Sequence, residues 1–423
     1  MESGLGQGGQ VPSIDVAVVG GGIIGISASC HLAEEGRSLV LVEQGDLAKG
    51  ASFGNAGAFA FSDVMPLASP GIMRKAPGWL LDPLGPLSIP PAYLPRIAPW
   101  LLRFWRASRP DRVRHSALAQ AAMMRLARSA MGELVARAGL GGMVHADGAL
   151  ELYESEAEWR ASLPGWDLRA REGIGFEHLR RDAILELQPG LSPAFGHATF
   201  VPGWKTVTNP HDFARALADH AMRRGATLRQ GRVLAVEPTE QGVRIRLEGG
   251  GTLAARHAVI ACGAWSRPLA ARLGDRIPLE TERGYNTTLP PGAFDLRRQL
   301  TFGGHGFVVT PISGGVRVGG AVELGGLDRP PNYRRAETML AKAARFLPGL
   351  RTDGGTQWMG FRPSLPDSLP VIGASRASAR ILYAFGHGHL GLTQSAATGR
   401  LLAELVAGRP PSIDLAPFSP RRF

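Results

Sequence analysis

Two short, apolar, β-branched runs stand near the start of the chain, Asp15 to Val19 and Ser38 to Glu43. They flank a stretch, Ile23 to Glu35, whose apolar residues recur at helical spacing. Such short continuous runs predict strands buried on both faces, and the spacing between them predicts a helix. Gly36 supplies its stop. The alternation returns later. Pro210 to Arg224 reads as a capped helix ended by Gly225, followed by a strand centred on Val233. The segment "GVRIRLEGGGTLAARHAVIACGAWS" then predicts alternating strands, with a last apolar strand from His257 to Cys262 that ends at Gly263. Near the end of the sequence, Ile381 to Ala384 predicts a strand, Gly386 to Gly391 a glycine-rich loop and Thr393 to Val406 a helix. Residues 64–200 lack this order. They hold a Pro- and Trp-rich region and a long amphipathic helix from about Ser116 to Ala138. Within 280–350, "HGFVVTPISGGVRVGG" reads as a hairpin.

The turn between the first strand and helix carries Gly20-x-Gly22-x-x-Gly25. A lone G-x-G-x-x-G is weak, but this one leaves a strand and opens a helix, which is the context that gives it meaning. Gly20 permits the tight turn, Gly22 admits a pyrophosphate to the backbone, and Gly25 lets helix and sheet approach. The helix N-terminus offers free N–H groups to phosphate, with Ile24 in its first turn. Glu43, with Gln44 after it, closes the second strand where a carboxylate takes a ribose hydroxyl, which argues against a 2′-phosphate. The expected fold class is therefore α/β (α+β). A discontinuous Rossmann-like nucleotide domain takes 12–63, 205–265 and 355–423. A substrate-binding domain on an antiparallel sheet takes 64–204 and 266–354.

At 423 residues the chain has room for two such domains. Cys30 and Cys262 lie far apart and read as packing residues, so neither a disulfide framework nor a metal site is expected. The net charge of +11 raises nucleic acid as a partner. Only four of the 47 basic residues are lysine, however, and the arginines are scattered without a binding motif, so no nucleic-acid partner is expected. A mildly basic surface still favours anionic substrates and lipid. The N-terminus lacks a basic start and an apolar h-region, so a cytoplasmic location is the expectation.

No apolar run reaches the ~18 residues of a membrane span. Trp79, Leu80, Leu81, Trp100, Leu101, Leu102, Phe104 and Trp105, with Arg96, Arg103 and Arg106, suit a peripheral membrane surface or the cover of the substrate domain's core. The second use is favoured because Trp is highly buried on average. After Glu43 comes "GDLAKGASFGNAGAFAFSD", a small-residue loop in which Ser52, Asn55, Ala56 and Gly57 suit a large flat ligand. The helix after Gly386–Gly391 aims a positive dipole end at the same place, as an anionic reduced flavin requires.

With "VAVVGGGIIGISASCHLAEEG", "GASFGNAGA", "ACGAWS", "ERGY", "GFRPSLPDSLPVIG" and "GHGHLGLTQSAATGR", the chain resembles the FAD-dependent D-amino-acid dehydrogenase family of the D-amino-acid oxidase superfamily. The motifs span nearly the whole chain in the expected order. The resemblance implies non-covalent FAD, with Gly20, Gly22, Gly25 and Glu43 on its ADP half and Ser52, Asn55, Ala56 and Gly57 near pyrophosphate and flavin. It places Val233 at the adenine, and Gly263, Gly388, Gly391, Leu392 and Thr393 at the flavin. "GNAGAFAFSDVMPLASPG" is also similar to members that oxidise D-hydroxyproline.

An amino-acid carboxylate calls for a bidentate guanidinium. Arg362 in "GFRPSLPD" is the candidate, since related amine oxidases use the arginine of this element. Tyr285 is the expected second contact. Asn286 departs from the histidine of alanine-oxidising members, which puts substrate preference in doubt. His305, His387 and His389 are glycine-flanked candidates for the pocket wall, with His389 foremost through its place in the flavin loop. The expected reaction is oxidation of a D-amino acid or cyclic secondary amino acid by hydride transfer, with electrons passed to a quinone or respiratory acceptor. Two alternatives stay open: N-demethylation of a methylated amino acid, and a non-catalytic flavin electron-transfer subunit.

Overall fold

A computed structural model describes residues 14–69, 85 and 87–423. Strand Ile14–Val19 lies between Leu39–Glu43 and Thr252–Ile260, parallel to both. Thr227–Gln230 extends the sheet beyond Leu39–Glu43. At the other side, Thr252–Ile260 pairs antiparallel with Val243–Leu247, which pairs with Val233–Pro238, while its last residues pair in parallel with Ile381–Phe385. Period-two alternation explains why the first runs are apolar throughout. Val16, Val18, Leu39 and Leu41 face a layer of helices, whereas Ala17, Val19, Val40 and Val42 face the antiparallel strands. The helical layer comprises Ile23–Glu34, Pro110–Ala138, Pro210–Arg223 and Gly391–Val406.

The second sheet runs in the order Thr356–Ser364, Glu280–Leu289, Gly315–Glu323, Phe307–Ile312, Gln299–Phe302, Ala149–Tyr153, His197–Val201, Glu177–Arg180. Its neighbours along this order are antiparallel except Gln299–Phe302 with Ala149–Tyr153. The predicted hairpin is present as Phe307–Ile312 and Gly315–Glu323. Ser313 and Gly314 both have positive φ, as a two-residue turn matched to strand twist requires. Helix Arg334–Phe346 covers one face of this sheet through Ala336, Met339, Ala343 and Phe346.

Two segments belong elsewhere than the sequence pattern suggests. Thr356–Ser364, expected in the nucleotide domain, is a strand of the second sheet, in continuous register with Glu280–Leu289. Helix Pro110–Ala138, expected with the substrate domain, sets Met123, Ala127, Ala130, Met131 and Leu134 into the nucleotide-domain core. Its row of small side chains lets it lie close to helix Gly391–Val406, and chain position alone does not reveal such a partner. The strand expected at His257–Cys262 ends at Ile260, because the chain turns into Gly263 at φ +55°.

Candidate active site

One cavity of about 1020 Å³ runs from the glycine turn of the first sheet to the face of the second. At its nucleotide end the wall is mostly backbone. Gly20 has φ +112°, and a Cβ there would overlap the Ala261 carbonyl. A Cβ at Gly25 would overlap the Gly20 carbonyl, so this glycine serves packing and does not line the cavity. Gly20, Gly22, Ile24, Glu43 and Gln44 do line it, as do Val233 and Gly263. Glu43 accepts hydrogen bonds from the N–H of Gly21 at 2.6 Å and of Gly45 at 3.0 Å. Each carboxylate oxygen keeps capacity for a further donor, such as a ribose hydroxyl. Ser52 Oγ accepts the Ile23 N–H at 3.0 Å, so the loop after the second strand is tied to the start of the first helix. Burial pushes the Cys262 thiol, also on this wall, up to about 12, which makes it a neutral packing group.

The middle of the cavity is bounded by residues 50–60 and 386–393. Asn55 Oδ1 accepts the Gly57 N–H at 2.8 Å, bracing the turn from within. Gly57 itself packs against Ile312 and lies off the cavity wall, contrary to expectation: its positive φ serves the turn. Gly388, Gly391, Leu392 and Thr393 line the opposite side. Helix Gly391–Val406 starts there without a side-chain cap, leaving first-turn N–H groups at the wall. Thr393 Oγ1 is committed to the Ala60 N–H at 3.0 Å. Burial drives the His387 ring down to about 3; its Nε2 meets Thr398 Oγ1 at 3.0 Å while its buried Nδ1 has no partner.

The second sheet grips this middle region from below. Arg317, buried, donates to the carbonyls of Asn55 at 2.6 Å and Phe53 at 3.5 Å and to Thr288 Oγ1 at 2.9 Å. Burial lowers its pKa to about 10. Asn286 Nδ2 donates to the Gly54 carbonyl at 2.8 Å. Trp358 covers Gly54 and Gly360, whose missing side chains make room for its ring. Asn286 therefore acts as a strut for the loop.

At the far end the wall is made of charged side chains. Arg362 lies across Gly284 and donates to the carbonyls of Ala321 at 3.0 Å and Gly320 at 3.3 Å. Those carbonyls are turned by a bulge between Glu280–Leu289 and Gly315–Glu323, where Ala321 takes φ +53°. The guanidinium uses one N–H on each carbonyl and retains others for a ligand. Burial lowers its pKa, opposed by the nearby Glu282 carboxylate. His389 Nε2 meets Asp63 Oδ2 at 2.9 Å. Burial opposes both charges, but their pairing prevails, holding His389 above its ordinary value and Asp63 below its own.

Tyr285 requires a correction. Its phenol donates to Glu323 and accepts the Asn332 N–H at 3.1 Å, and its ring sits in the core under helix Arg334–Phe346. Strand alternation sends Tyr285 and Arg283 to that face, and Glu282, Gly284 and Asn286 to the face that carries Arg362. Tyr285 borders the cavity, but its hydroxyl is engaged on the opposite face by Glu323 and the Asn332 N–H, so it is not free to be the expected second carboxylate contact beside Arg362. His305 pairs with Glu154 at 2.7 Å, away from the cavity. Glu282, Arg317, Trp358 and Asp63 line the cavity without having been singled out. For Glu282 a signal existed: it lies an odd number of residues from Tyr285, so only one of the two can share a face with Arg362.

Trp100, Leu101 and Phe104 of helix Leu94–Ala107 also line the cavity, while Leu102 and Trp105 are exposed. Trp79, Leu80 and Leu81 fall outside the described residues. Among the described residues no helix is long and apolar enough to cross a membrane, and no cluster of side chains suits a metal ion.

A backbone cradle for a dinucleotide, an uncapped helix start along the middle and a cationic floor beyond it define a flavoenzyme of the FAD-dependent oxidoreductase class. The chain belongs to that family, whose profile, described as FAD dependent oxidoreductase, matches residues 15–405. It is 36% identical to a D-amino-acid oxidase of Bradyrhizobium diazoefficiens, over 96% of this chain and 98% of that one. It is 30% identical to a D-amino acid dehydrogenase of Rhizobium rhizogenes, over 96% and 99%. Among solved structures, glycine oxidase from Geobacillus kaustophilus matches with a TM-score of 0.74 and 26% identity, covering 97% of this chain and 98% of that one. L-proline dehydrogenase from P. horikoshii shares the fold, with a TM-score of 0.74 at 18% identity and 98% of each chain covered. The cofactor is FAD, which supplies the redox chemistry when bound.

Proposed function

We propose that the protein oxidises a D-amino acid, or a cyclic secondary amino acid of the D-proline or D-hydroxyproline kind, to its imino acid, with the Cα hydride passing to flavin N5. The observation that carries this reading is Arg362, a partly buried guanidinium fixed by two carbonyls at the end of the cavity opposite the nucleotide cradle. Fixed there, it orients the substrate carboxylate and leaves Cα toward the cavity centre, a contribution of positioning. The names of the relatives support the D-amino-acid class. In this reading Gly20, Gly22, Ile24, Glu43 and Gln44 hold the ADP half and Val233 the adenine. Ser52, Asn55, Ala56, Gly263, Gly388, Gly391, Leu392 and Thr393 surround pyrophosphate and flavin, without a covalent link. His389, paired to Asp63, closes the substrate end.

Electrons then pass to a quinone or respiratory acceptor. Helix Leu94–Ala107 supports this step, since its aromatic inner side borders the cavity and its outer side exposes Leu102 and Trp105 among arginines. That outer side suits peripheral contact with anionic lipid at the inner face of the cell membrane. The test is anaerobic: D-amino acids, D-proline, D-hydroxyproline, sarcosine and the L-enantiomers are added to FAD-loaded protein, and bleaching of the flavin's visible absorbance is followed. Bleaching by D-substrates supports the proposal. Bleaching by sarcosine with release of formaldehyde would replace it with demethylation, and no bleaching by any amine would leave an electron-transfer subunit. Faster reoxidation by a soluble quinone than by air identifies the acceptor.

A further inference from the structure

The cavity floor holds a carboxylate that the reaction as described leaves without a task. Glu282 is 5% exposed, lines the cavity, and stands directly opposite Arg362 in the strand pairing. Directly opposed residues of an antiparallel pair leave the sheet on the same face. Gly284, the next residue on that face, lies beneath the Arg362 guanidinium. Guanidinium and Glu282 are therefore offset by about one two-residue repeat of strand, roughly 7 Å. This is the length scale of an α-amino acid gripped at both ends. Ser364 Oγ donates to Glu282 Oε1 at 2.6 Å, which fixes the carboxylate's orientation. Among the described residues no Lys, Arg or His forms an ion pair with it; the ion pairs at this end are those of Asp63 with His389 and Arg169. The other charged groups around it are Arg362 on the neighbouring strand and His389 in the loop above. On its own strand, Glu280 receives the Tyr93 hydroxyl at 3.0 Å.

We infer that Glu282 is a catalytic residue, whose carboxylate receives the substrate's α-ammonium group and removes one proton from it. An N–H bond breaks, an O–H bond forms on Glu282, and the electron pair left on nitrogen assists departure of the Cα hydride. The nitrogen becomes part of the imino acid, and the carboxylic acid returns its proton to water after the product leaves. The inference rests on the reading of this cavity as an amino-acid site. Electrostatics favours it: a zwitterion placed between Arg362 and Glu282 meets an opposite charge at each end, so that neither charge is buried alone. A monocarboxylate without an amine leaves Glu282 facing it unsatisfied.

The test uses Glu282→Gln, which keeps size and the acceptor for Ser364, in FAD-loaded protein of unchanged flavin content. Anaerobic flavin reduction by the best substrate is measured from about pH 6 to about pH 10, a span that brackets deprotonation of an amine. The expected result is a rate lowered at least about 100-fold near pH 7, the scale of a lost general base. At the alkaline end, where solvent has already deprotonated the amine, the deficit shrinks severalfold. Ser364→Ala shows a smaller deficit with the same pH trend, which keeps the test open if the first variant folds poorly. Calorimetric titration with propionate gives a second readout, with affinity unchanged or raised in Glu282→Gln. A deficit equal at every pH, no deficit, or a parallel loss of propionate binding overturns the inference and assigns Glu282 a structural part. A deficit confined to substrates with cationic side chains also overturns it. If the unmodified protein bleaches with no amino acid, the reading beneath it fails as well; if that protein bleaches and Glu282→Gln matches it, only the role of Glu282 fails.

Discussion

The two ends of the cavity are made of different material. The nucleotide end consists of glycine turns, helix starts and one carboxylate that itself braces the turn, drawn mainly from a short contiguous stretch, with Val233 and the Gly263 turn added from later in the chain. The far end is assembled from Asp63, Glu282, Arg362 and His389, which the second sheet and the loops at residues 60–63 and 386–391 bring together from across the chain. A backbone wall tolerates almost no added atoms but carries little information about its ligand beyond shape. A wall of charged side chains does the opposite: each group can be altered without refolding the sheet, and each alteration changes what is recognised. On the proposed function, this difference puts cofactor retention at one end and substrate choice at the other.

This division is open to direct attack. The largest effect is expected at the backbone end. Gly20→Val inserts a side chain against the Ala261 carbonyl at a φ that L-residues avoid. It should weaken FAD binding by more than about 100-fold, about 2.7 kcal/mol, read as loss of bound flavin absorbance per protein. Next comes Arg362→Leu, which should raise KM for carboxylate substrates about 100-fold with flavin content unchanged. Loss of flavin with unchanged KM would erase the distinction between the ends.

Arg317→Met, beneath the middle of the cavity, should have a smaller effect than either. It frees the carbonyls of Phe53 and Asn55 and should weaken FAD binding about tenfold, about 1.4 kcal/mol, with a smaller change in KM. The smallest effect is expected from Asp63→Asn, and it should depend on pH. Asp63, held below its ordinary 3.8, contributes stability that is present above that value and lost as pH falls through its lowered pKa. His389, held above its ordinary 6.5, contributes stability that is present below that value and lost as pH rises through its raised pKa. Thermal melts of Asp63→Asn should therefore lie about 3 °C below those of the unmodified protein between these limits. The gap should close at alkaline pH; a gap that widens there would contradict the pairing.

The same contrast explains what the sequence disclosed. The glycine turn was legible because Gly20, Gly22, Gly25 and Glu43 lie within one strand–helix–strand unit, where spacing alone dictates geometry. The hairpin around Ser313 and Gly314 was legible for the same reason. The substrate floor was not, because Glu282 and Arg362 meet only through strand pairing across 80 positions. Tyr285 misled because its neighbour Gly284 belongs to the floor, while alternation turns the tyrosine itself beneath the sheet. Gly57 misled in another way, since a positive φ needed by a turn looks in sequence like a glycine needed by a ligand.

The central claim is that a substrate carboxylate rests on Arg362 beside Glu282, within reach of the flavin. Diffraction from crystals of the FAD-loaded protein soaked anaerobically with a D-amino acid tests it most directly. The account predicts the carboxylate on the Arg362 guanidinium and the nitrogen directed to Glu282. A ligand seated elsewhere in the cavity, or one whose carboxylate leaves Arg362 untouched, would contradict it.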